Sequence, residues 1–206
     1  MSKKKAIKWL IGIDEAGRGP LAGPVTVGLF AVPISNQLVF QKTFFPKNIR
    51  DSKKLSESVR EKMFSQMVEL KKEGQIYFSH AHTTASLIDR IGITAAIKKG
   101  INKVLDKIPI EPCECDIRLD GLLKAPAQYC HQTTIIKGDE KEFVIALASV
   151  VAKVSRDRLM KKLDQKYPAY GFGRHKGYGT KEHYLALKKK GPSSVHRQSF
   201  LRQLTK

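Results

Sequence analysis

The segment that most restricts how this chain can fold is an apolar strand that ends in two carboxylates. Residues 9–13 are mostly apolar, Asp14 and Glu15 follow them directly, and Gly-Arg-Gly-Pro occupies residues 17–20. Acids at the end of a buried strand need a positive partner, because an unpaired buried charge is costly. The glycines also let a ligand approach bare backbone. The segment predicts a metal site beside a place where a polyanion docks, the alternative being a solvated loop.

Composition favours one nucleic-acid-binding domain. The chain has 206 residues, enough for one sizeable domain, and a net charge of +19 from 38 basic and 19 acidic side chains. Residues 153–206 alone carry 15 basic and 3 acidic side chains. Such an excess favours a polyanionic partner, although a basic surface can also serve solubility. No apolar stretch approaches the ~20 residues of a membrane span, and the basic N-terminus lacks a signal-type apolar core. We therefore expect a cytoplasmic protein with no membrane contact.

Periodicity and turn residues predict the order of strands and helices. Strands are expected at 8–14, 24–32 and 39–45 as an antiparallel meander, then at 116–120 and 133–137, with a short extended stretch at 76–78. Helices are expected from Ser56 or Ser58 to Gly74, over 84–107 despite Gly92 and Gly100, and from 143 to about 166. Residues 167–180 are expected to be a loop, followed by one or two basic helices. This order predicts an α/β fold, a mixed sheet with helices on its faces.

Acids follow three of the predicted strands. Asp14 and Glu15 end the first, Asp120 ends the fourth, and Asp139 follows the fifth. Ends of parallel strands gather at one sheet edge, where carboxylates would repel one another unless they bind protons or cations. Hard oxygen ligands suit Mg²⁺ or Mn²⁺. Each acid alone could be a turn or cap residue, and Asp14 and Glu15 can converge only if the strand gives way to a turn, since neighbours on a strand face opposite sides.

The three cysteines indicate reduced thiols. Their number is odd, and the chain has no export signal. Cys113, Cys115 and Cys130, with His131, loosely suggest a zinc site, but their spacing is not that of a standard zinc module. The favoured interpretation is that they are small, partly buried side chains flanking a strand.

Several motifs resemble the ribonuclease HII family in order and spacing. The resemblance covers residues 9 to 200, and its motifs lie at residues 14–25 (DEAGRGPLAGPV), 51–55 (DSKKL), 120–121 (DG), 137–139 (KGD), 145–157 (IALASVVAKVSRD), 175–180 (HKGYGT) and 196–200 (HRQSF). It implies an RNase H-like mixed β-sheet flanked by helices, with residues 1–165 as the catalytic domain and 166–206 as a basic helical C-terminal extension that helps to bind substrate. It also implies metal-dependent hydrolysis of the RNA strand in RNA–DNA hybrids, including single ribonucleotides embedded in duplex DNA.

The resemblance assigns roles to particular residues. It implies that Asp14, Glu15, Asp120 and Asp139 are the catalytic acids and bind Mn²⁺ or Mg²⁺. It implies that Gly17, Arg18 and Gly19 sense the ribose 2′-hydroxyl, the group that separates RNA from DNA, and that Tyr178 stacks at the RNA–DNA junction. Ser52, Lys53, Lys153 and Arg197 suit phosphate contacts, which position a duplex without reading its sequence. For any one lysine, surface solvation is the alternative.

Other interpretations stay open at this point. Ribonuclease HIII is a sister enzyme with the same acids, but it carries an additional N-terminal domain and its glycine turn lacks the sequence of residues 18–20. A non-catalytic basic nucleic-acid-binding protein would explain the charge but not acids at several strand ends. Residues 198–204 weakly suggest a sliding-clamp docking peptide, although an apolar helical turn explains them as well. We expect the protein to be a monomer.

Overall fold

The structure is a computed structural model that describes residues 6–44, 55–121 and 123–201. Its strands are β1 (Trp9–Ala16), β2 (Val25–Pro33), β3 (Tyr77–Thr83), β4 (Cys115–Asp120) and β5 (Gln132–Ile135). They form one sheet in the order β3-β2-β1-β4-β5. β1 pairs antiparallel with β2 and parallel with β4, and β4 pairs parallel with β5. The predicted mixed sheet is confirmed.

Helices cover both faces of the sheet. They are α1 (Gln37–Phe44), α2 (Glu57–Lys72), α3 (Ala85–Ile91), α4 (Ile93–Leu105), α5 (Gly138–Lys141), α6 (Phe143–Lys166), α7 (Phe172–His175), α8 (Lys181–Lys190) and α9 (Gln198–Leu201). α6 crosses one face over β1 and β2, and α4 crosses the other over β2 and β3. None of the helices in the described ranges combines the length and the apolar character that crossing a membrane requires.

Side chains alternate along β1, so the strand contributes to two separate hydrophobic cores. Leu10 packs in the core beneath α6 with residues such as Phe30. Ile11 and Ile13 pack in the core beneath α4 with residues such as Ile97. Each fully buried aliphatic side chain contributes about 1.5–3 kcal/mol of hydrophobic stabilisation. Because both faces of β1 are buried, its register and the orientation of the acids at its end are fixed.

Two glycines allow α6 to lie unusually close to the sheet. A Cβ at Gly12 of β1 would lie 2.0 Å from the carbonyl oxygen of Val144, and one at Gly28 of β2 would lie 2.3 Å from that of Ala148. A side chain at either position would push α6 away. The Ala-rich sequence of α6 and these glycines therefore bring the helix directly over the strand that carries Asp14.

The expected strand at 39–45 is wrong. Residues 37–44 form α1, in which Phe40 and Phe44 are buried and the residues between them are exposed. This spacing of four is helical, whereas a strand would bury alternate residues. The third member of the antiparallel part of the sheet is β3, which extends well beyond the expected short stretch at 76–78.

The structure chooses between the two starts expected for α2 and corrects the helix expected after β3. Ser56 caps α2, because its side chain accepts a hydrogen bond from the Val59 N–H at 3.3 Å. The long helix expected over 84–107 divides into α3 and α4 at Gly92, whose φ of +79° is incompatible with a continuing helix. Gly100 lies inside α4. A glycine is needed there, because a Cβ would meet Val27 of the sheet at 2.6 Å.

The C-terminal segment packs on the end of α6 and on the loop after β1. Ala22, Met160, Tyr170 and Phe172 form a third buried cluster. Residues 167–180, expected as a loop, include a 3₁₀ turn at Pro168–Tyr170 and α7. This packing places the loop that carries Tyr178 next to the end of β1.

Candidate active site

Three of the four acids predicted to meet at a sheet edge line one cavity. Asp14 and Glu15 of β1 and Asp120 at the end of β4 line a cavity of about 480 Å³. β1 continues through Ala16, which pairs with Thr26, so the strand does not give way to a turn at the acids. They reach the same cavity because it lies at the sheet edge, which side chains from both faces can reach.

Asp14 and Glu15 approach the cavity from opposite faces of β1. Asp14 pairs with Gly28, which lies beneath α6, whereas Glu15 pairs with Val27, which belongs to the core beneath α4. Glu15 Oε1 accepts a hydrogen bond from Arg18 at 3.2 Å. Arg18 therefore partly neutralises Glu15 at the mouth of the cavity.

Asp14 is buried next to other acids. It is 2% exposed. Burial, and then the neighbouring charges of Glu15 and Asp120, raise the pKa of Asp14 well above its ordinary value. Burial also raises the pKa of Glu15, and Arg18 opposes that rise. One oxygen of each, Asp14 Oδ2 and Glu15 Oε2, is buried with no hydrogen-bond partner in the described part of the chain. Such oxygens call for a cation or a proton.

The predicted four-acid set is only partly assembled. Asp120 accepts a hydrogen bond from the Gly138 N–H at 2.7 Å, which ties β4 to α5. Asp139 is fully buried in α5 and is not among the residues that line the cavity. Within residues 6–44, 55–121 and 123–201, no three acidic, histidine or cysteine side chains are close enough to hold a metal ion between them. The zinc site considered at Cys113, Cys115 and Cys130 is therefore not formed either.

A chain of charged side chains also lies at the cavity. Lys153 of α6 donates to both carboxylate oxygens of Asp157 at 2.7 Å. Arg60 of α2 approaches the same carboxylate at 3.8 Å. Lys153 and Arg60 both line the cavity. Asp157 therefore holds two cationic side chains in place at the same cavity as the acids.

Two buried arginines, which we call the arginine clamp, hold the loop between β1 and β2. Arg197 donates to the carbonyls of Gly17 at 2.6 Å, Arg18 at 2.8 Å and Gly23 at 3.0 Å. Arg156 donates to the carbonyls of Ala22 and Pro24. Burial lowers the pKa of Arg197 to about 9, and the charge of Arg156 adds to that effect. Both side chains depend on these acceptors to remain charged inside the protein.

The structure corrects the expected role of Arg197. Its side chain is fully buried and is bound to backbone carbonyls, so it cannot present its guanidinium to a phosphate. It fixes the glycine loop instead. The two other expected phosphate contacts, Ser52 and Lys53, lie outside the described residues, and Lys153 lies at the cavity as a contact residue would.

The two glycines of the loop differ in their surroundings. Gly17 has φ +87°, and a Cβ there would lie 1.9 Å from the Arg156 Nε. Gly19 has open space, since a Cβ there would meet nothing of the described protein within 4 Å. Gly17 is therefore needed for the fold of the loop, whereas the bare backbone at Gly19 faces outward, where a ligand can approach it.

Tyr178 presents its ring to the cavity from a fixed backbone. Its side chain lines the cavity and the residue is 47% exposed. Its N–H donates to the carbonyl of His175, and its own carbonyl accepts from the Thr180 N–H. Exposed aromatic rings held in this manner suit stacking on a sugar or a base.

Sequence reasoning overlooked the roles of Arg60, Arg156 and Asp157. A signal was present, because Arg156 and Asp157 interrupt an otherwise apolar helical run with full charges. Buried charges in such a run require partners from elsewhere in the fold. Arg60 gave no comparable signal on the strongly charged helix α2.

Comparisons with known proteins agree with this geometry. The family model described as ribonuclease HII matches residues 11–203. A ribonuclease HII of Caldicellulosiruptor bescii is 43% identical over 197 residues, which cover 96% of this chain and 88% of the relative. A ribonuclease HII of Bacillus anthracis is 41% identical over 198 residues, covering 96% of this chain and 71% of the relative.

Solved structures share the fold. The ribonuclease H2 of Pyrococcus horikoshii matches with a TM-score of 0.73 at 24% identity, over 95% of this chain and 96% of the other. A PCNA:RNase HII complex from Archaeoglobus fulgidus matches with a TM-score of 0.72 at 24% identity, over 92% and 93%. Bst-RNase HIII in complex with Mn²⁺ gives 0.66 at 15% identity, over 96% and 68%.

Proposed function

Since the chain belongs to the ribonuclease HII family, we propose that it hydrolyses the RNA strand of RNA–DNA hybrids and cuts on the 5′ side of single ribonucleotides in duplex DNA, leaving a 3′-hydroxyl and a 5′-phosphate. One observation supports this most strongly. A single cavity is lined by Asp14, Glu15, Asp120, the glycine loop and Tyr178. The acids proposed for hydrolysis thus lie beside the backbone of the glycine loop and beside an exposed ring that can contact the sugar.

The chemistry of the acids suits a hard divalent cation, because Mg²⁺ and Mn²⁺ prefer carboxylate oxygens, although three of the acids would have to move closer together than they lie in the structure to share one ion. We propose that Asp14, Glu15, Asp120 and Asp139 hold Mg²⁺ or Mn²⁺, in a mechanism that uses two ions. The buried, unpaired oxygens of Asp14 and Glu15 support this proposal, as does the Mn²⁺ complex of the HIII structure. When bound, such an ion lowers the pKa of the attacking water and stabilises the leaving oxygen.

The glycine loop is proposed to recognise the ribose. Arg197 holds the carbonyls of Gly17 and Arg18, so the peptide units next to the cavity are rigid before substrate arrives. Open space at Gly19 admits a sugar against the backbone. A rigid polar backbone can hydrogen-bond a 2′-hydroxyl without the entropy cost of ordering a flexible loop.

Phosphate contacts are proposed for the basic wall and for the C-terminal extension. Lys153 is oriented toward the cavity by Asp157. We keep Ser52 and Lys53 as proposed contacts on the sequence motif alone. Residues 166–206 are proposed as a substrate-binding extension of a catalytic domain at 1–165. The protein is proposed to act as a monomer.

Two alternatives are less well supported. A ribonuclease HIII-like enzyme would share the acids, but the HIII structure matches with lower identity and a lower TM-score than the two HII and H2 structures. A sliding-clamp partner is favoured by the PCNA complex of the Archaeoglobus protein. Phe200 opposes it, because its ring packs against the core and against Arg197.

The decisive experiment is cleavage of a DNA duplex that contains one ribonucleotide, with the cut mapped to the nucleotide. We expect one cut on the 5′ side of the ribonucleotide in the presence of Mg²⁺ or Mn²⁺. Absence of cleavage with either ion, or equal cleavage of an all-DNA duplex, would contradict the proposal.

Variants of Tyr178 test the recognition step. Stacking is worth ~1–3 kcal/mol per base, so Tyr178→Ala should lower kcat/KM on the single-ribonucleotide duplex by roughly tenfold to a hundredfold, and less on a long hybrid, which offers many registers. Tyr178→Phe is the matched control and should lose less. Equal losses on the two substrates would make Tyr178 a structural residue.

A further inference from the structure

Three histidines lie in contact in the C-terminal segment. The ring centroids of His175 and His183 are 4.5 Å apart, and those of His183 and His196 are 5.2 Å apart. Phe172 packs edge-on against His183. His183 and His196 are 0% and 2% exposed. The proposed function uses none of these side chains, and burying polar rings requires that each ring nitrogen has a partner.

The partners determine where the protons are. Nδ1 of His183 lies 2.9 Å from the carbonyl oxygen of Tyr178, so this nitrogen must donate. Nδ1 of His196 accepts from the Ser193 N–H at 2.9 Å, so the proton of a neutral His196 is on Nε2. The two Nε2 atoms are 3.0 Å apart. His196 therefore donates to His183, and the arrangement is complete only when both rings are neutral.

A further proton would remove a hydrogen bond at either ring. On His183 it would place two N–H groups opposite each other across 3.0 Å. On His196 it would take the acceptor from the Ser193 N–H, while the Ser193 Oγ, 2.8 Å from the same Nδ1, could accept the new N–H. Burial lowers the pKa of His183, and it lowers the pKa of His196 to about 4. The pair is therefore neutral at physiological pH, as its hydrogen bonds require.

The hydrogen bonds of this group converge on the backbone that carries Tyr178. His183 binds the Tyr178 carbonyl, and the backbone carbonyl of His175 accepts from the Tyr178 N–H at 2.9 Å. The ring of His175 accepts from the Gly177 N–H at 3.2 Å and lies 2.7 Å from the Tyr170 carbonyl. The peptide units on both sides of Tyr178 are therefore held from the protein interior while its ring projects into the cavity.

We propose that the neutral His183–His196 pair positions the ring of Tyr178 for recognition of the RNA–DNA junction. The inference rests on the role proposed above for Tyr178. His196 fixes the tautomer of His183, and His183 fixes the carbonyl of Tyr178. Both act through the tyrosine and touch no substrate.

The tautomers can be tested without any substrate. In protein labelled with ¹⁵N-histidine, long-range ¹H–¹⁵N correlation spectra at neutral pH should show His183 protonated on Nδ1 and His196 protonated on Nε2. The signals of His131, which is exposed, serve as the internal reference in the same spectra. The opposite tautomers, or a charged ring at neutral pH, would overturn the inference.

A double-mutant cycle then tests the action through Tyr178. His183→Phe keeps the size of the ring and removes both hydrogen bonds, whereas the amide of His183→Asn can still donate to the Tyr178 carbonyl. On the single-ribonucleotide duplex, His183→Phe should lower kcat/KM about tenfold, the low end of what stacking supplies. It should have an effect under about twofold in the Tyr178→Ala background. His183→Asn should retain most of the activity.

The outcomes separate the two proposals. Equal losses from His183→Phe in both backgrounds overturn the positioning role and leave the proposed function intact. A Tyr178→Ala variant with full activity overturns the recognition role of Tyr178, and the positioning role with it. If His183→Phe does not fold, the tautomers of the unchanged protein and the His183→Asn variant decide the question.

Discussion

The acidic cavity and the arginine clamp are neighbouring regions that differ in whether their buried charges have hydrogen-bond partners. In the cavity, Asp14 and Glu15 each keep a buried oxygen with no hydrogen-bond partner in the described chain. In the clamp, Arg156 donates to two backbone carbonyls and Arg197 donates to three. Unsatisfied charge is destabilising and is kept where a ligand can satisfy it. Satisfied charge builds the frame that holds the ligand site in shape.

The largest expected effect comes from substituting the acids of the cavity. Asp14→Asn and Asp120→Asn should each reduce hydrolysis by about a thousandfold or more, ~4 kcal/mol in barrier. Duplex binding should survive, because the basic surface remains. For Asp14→Asn, the free energy of unfolding of the metal-free protein should stay constant or rise by up to ~1 kcal/mol, since a repelled buried charge is removed. Cleavage rates, duplex titrations and urea unfolding measure the three quantities.

A matched control lies on the same strand as Asp120. Asp116 is partly exposed and pairs with Arg118 at 2.8 Å, so Asp116→Asn should leave activity within about twofold of the unchanged protein. If Asp14→Asn or Asp120→Asn kept activity within tenfold, ~1.4 kcal/mol, the assignment of that acid as a catalytic ligand would be wrong.

The second prediction concerns the arginine clamp, whose charges are satisfied by hydrogen bonds. Arg197→Met keeps much of the volume but leaves the carbonyls of Gly17, Arg18 and Gly23 without their donor. We expect the free energy of unfolding to fall by about 3 kcal/mol, because unsatisfied buried acceptors cost ~1–3 kcal/mol each and part of that is relieved by relaxation. Arg174→Ala is the control, since its pair with Glu182 is largely exposed and is worth at most ~1 kcal/mol. A similar, small loss from both variants would show that the clamp does not stabilise the loop.

These two regions were unequally predictable from the sequence. Asp14, Glu15 and Asp120 were predicted because each lies at the end of a locally readable strand, and the parallel arrangement of β1 and β4 does bring Asp14 and Asp120 to one cavity. Asp139 lies in α5 and does not line that cavity. The role of Arg197 was not readable, because its acceptors lie 174 to 180 residues away. No local pattern distinguishes an arginine that binds phosphate from one that binds distant carbonyls.

The fold errors have the same origin. Residues 39–44 contain apolar and β-branched side chains that suit a strand, yet Phe40 and Phe44 reach the core as one face of α1. Packing against the core outweighed local preference. Where local and tertiary preferences agree, as in α6, the prediction from 143 to about 166 and the structure coincide.

The third prediction separates fold from recognition within one loop. Gly17→Ala should lower the free energy of unfolding by about 2 kcal/mol, because a positive φ and a clash with Arg156 are both unfavourable. Gly19→Ala should leave stability within ~0.5 kcal/mol, because its Cβ enters open space. If the loop faces the ribose, Gly19→Ala should still lower kcat/KM on the single-ribonucleotide duplex. Thermal unfolding and cleavage rates measure the two effects. If Gly19→Ala destabilised the protein as much as Gly17→Ala, the separation of a structural glycine from a recognition glycine would be wrong.

The smallest expected effect concerns the exposed charge beyond the clamp. Lys188, Lys189 and Lys190 end α8 and are exposed. Replacing all three with Gln should reduce the slope of log affinity against log salt by about 1 or more, since each phosphate that a lysine neutralises contributes about 0.9 to that slope. Affinity for hybrid duplex should fall roughly fivefold to tenfold, with stability unchanged. Lys72→Gln is the control, because Lys72 already pairs with Glu69.

Point substitutions are required for this test because α8 is not a detachable basic tail. Deleting the chain from Lys181 onward would also remove His183, which binds the Tyr178 carbonyl, and Arg197, which holds the glycine loop. Loss of binding after such a deletion would follow from collapse of the site as readily as from loss of charge. The triple variant leaves both side chains in place, so an unchanged salt slope would assign the duplex contacts to other parts of the basic surface.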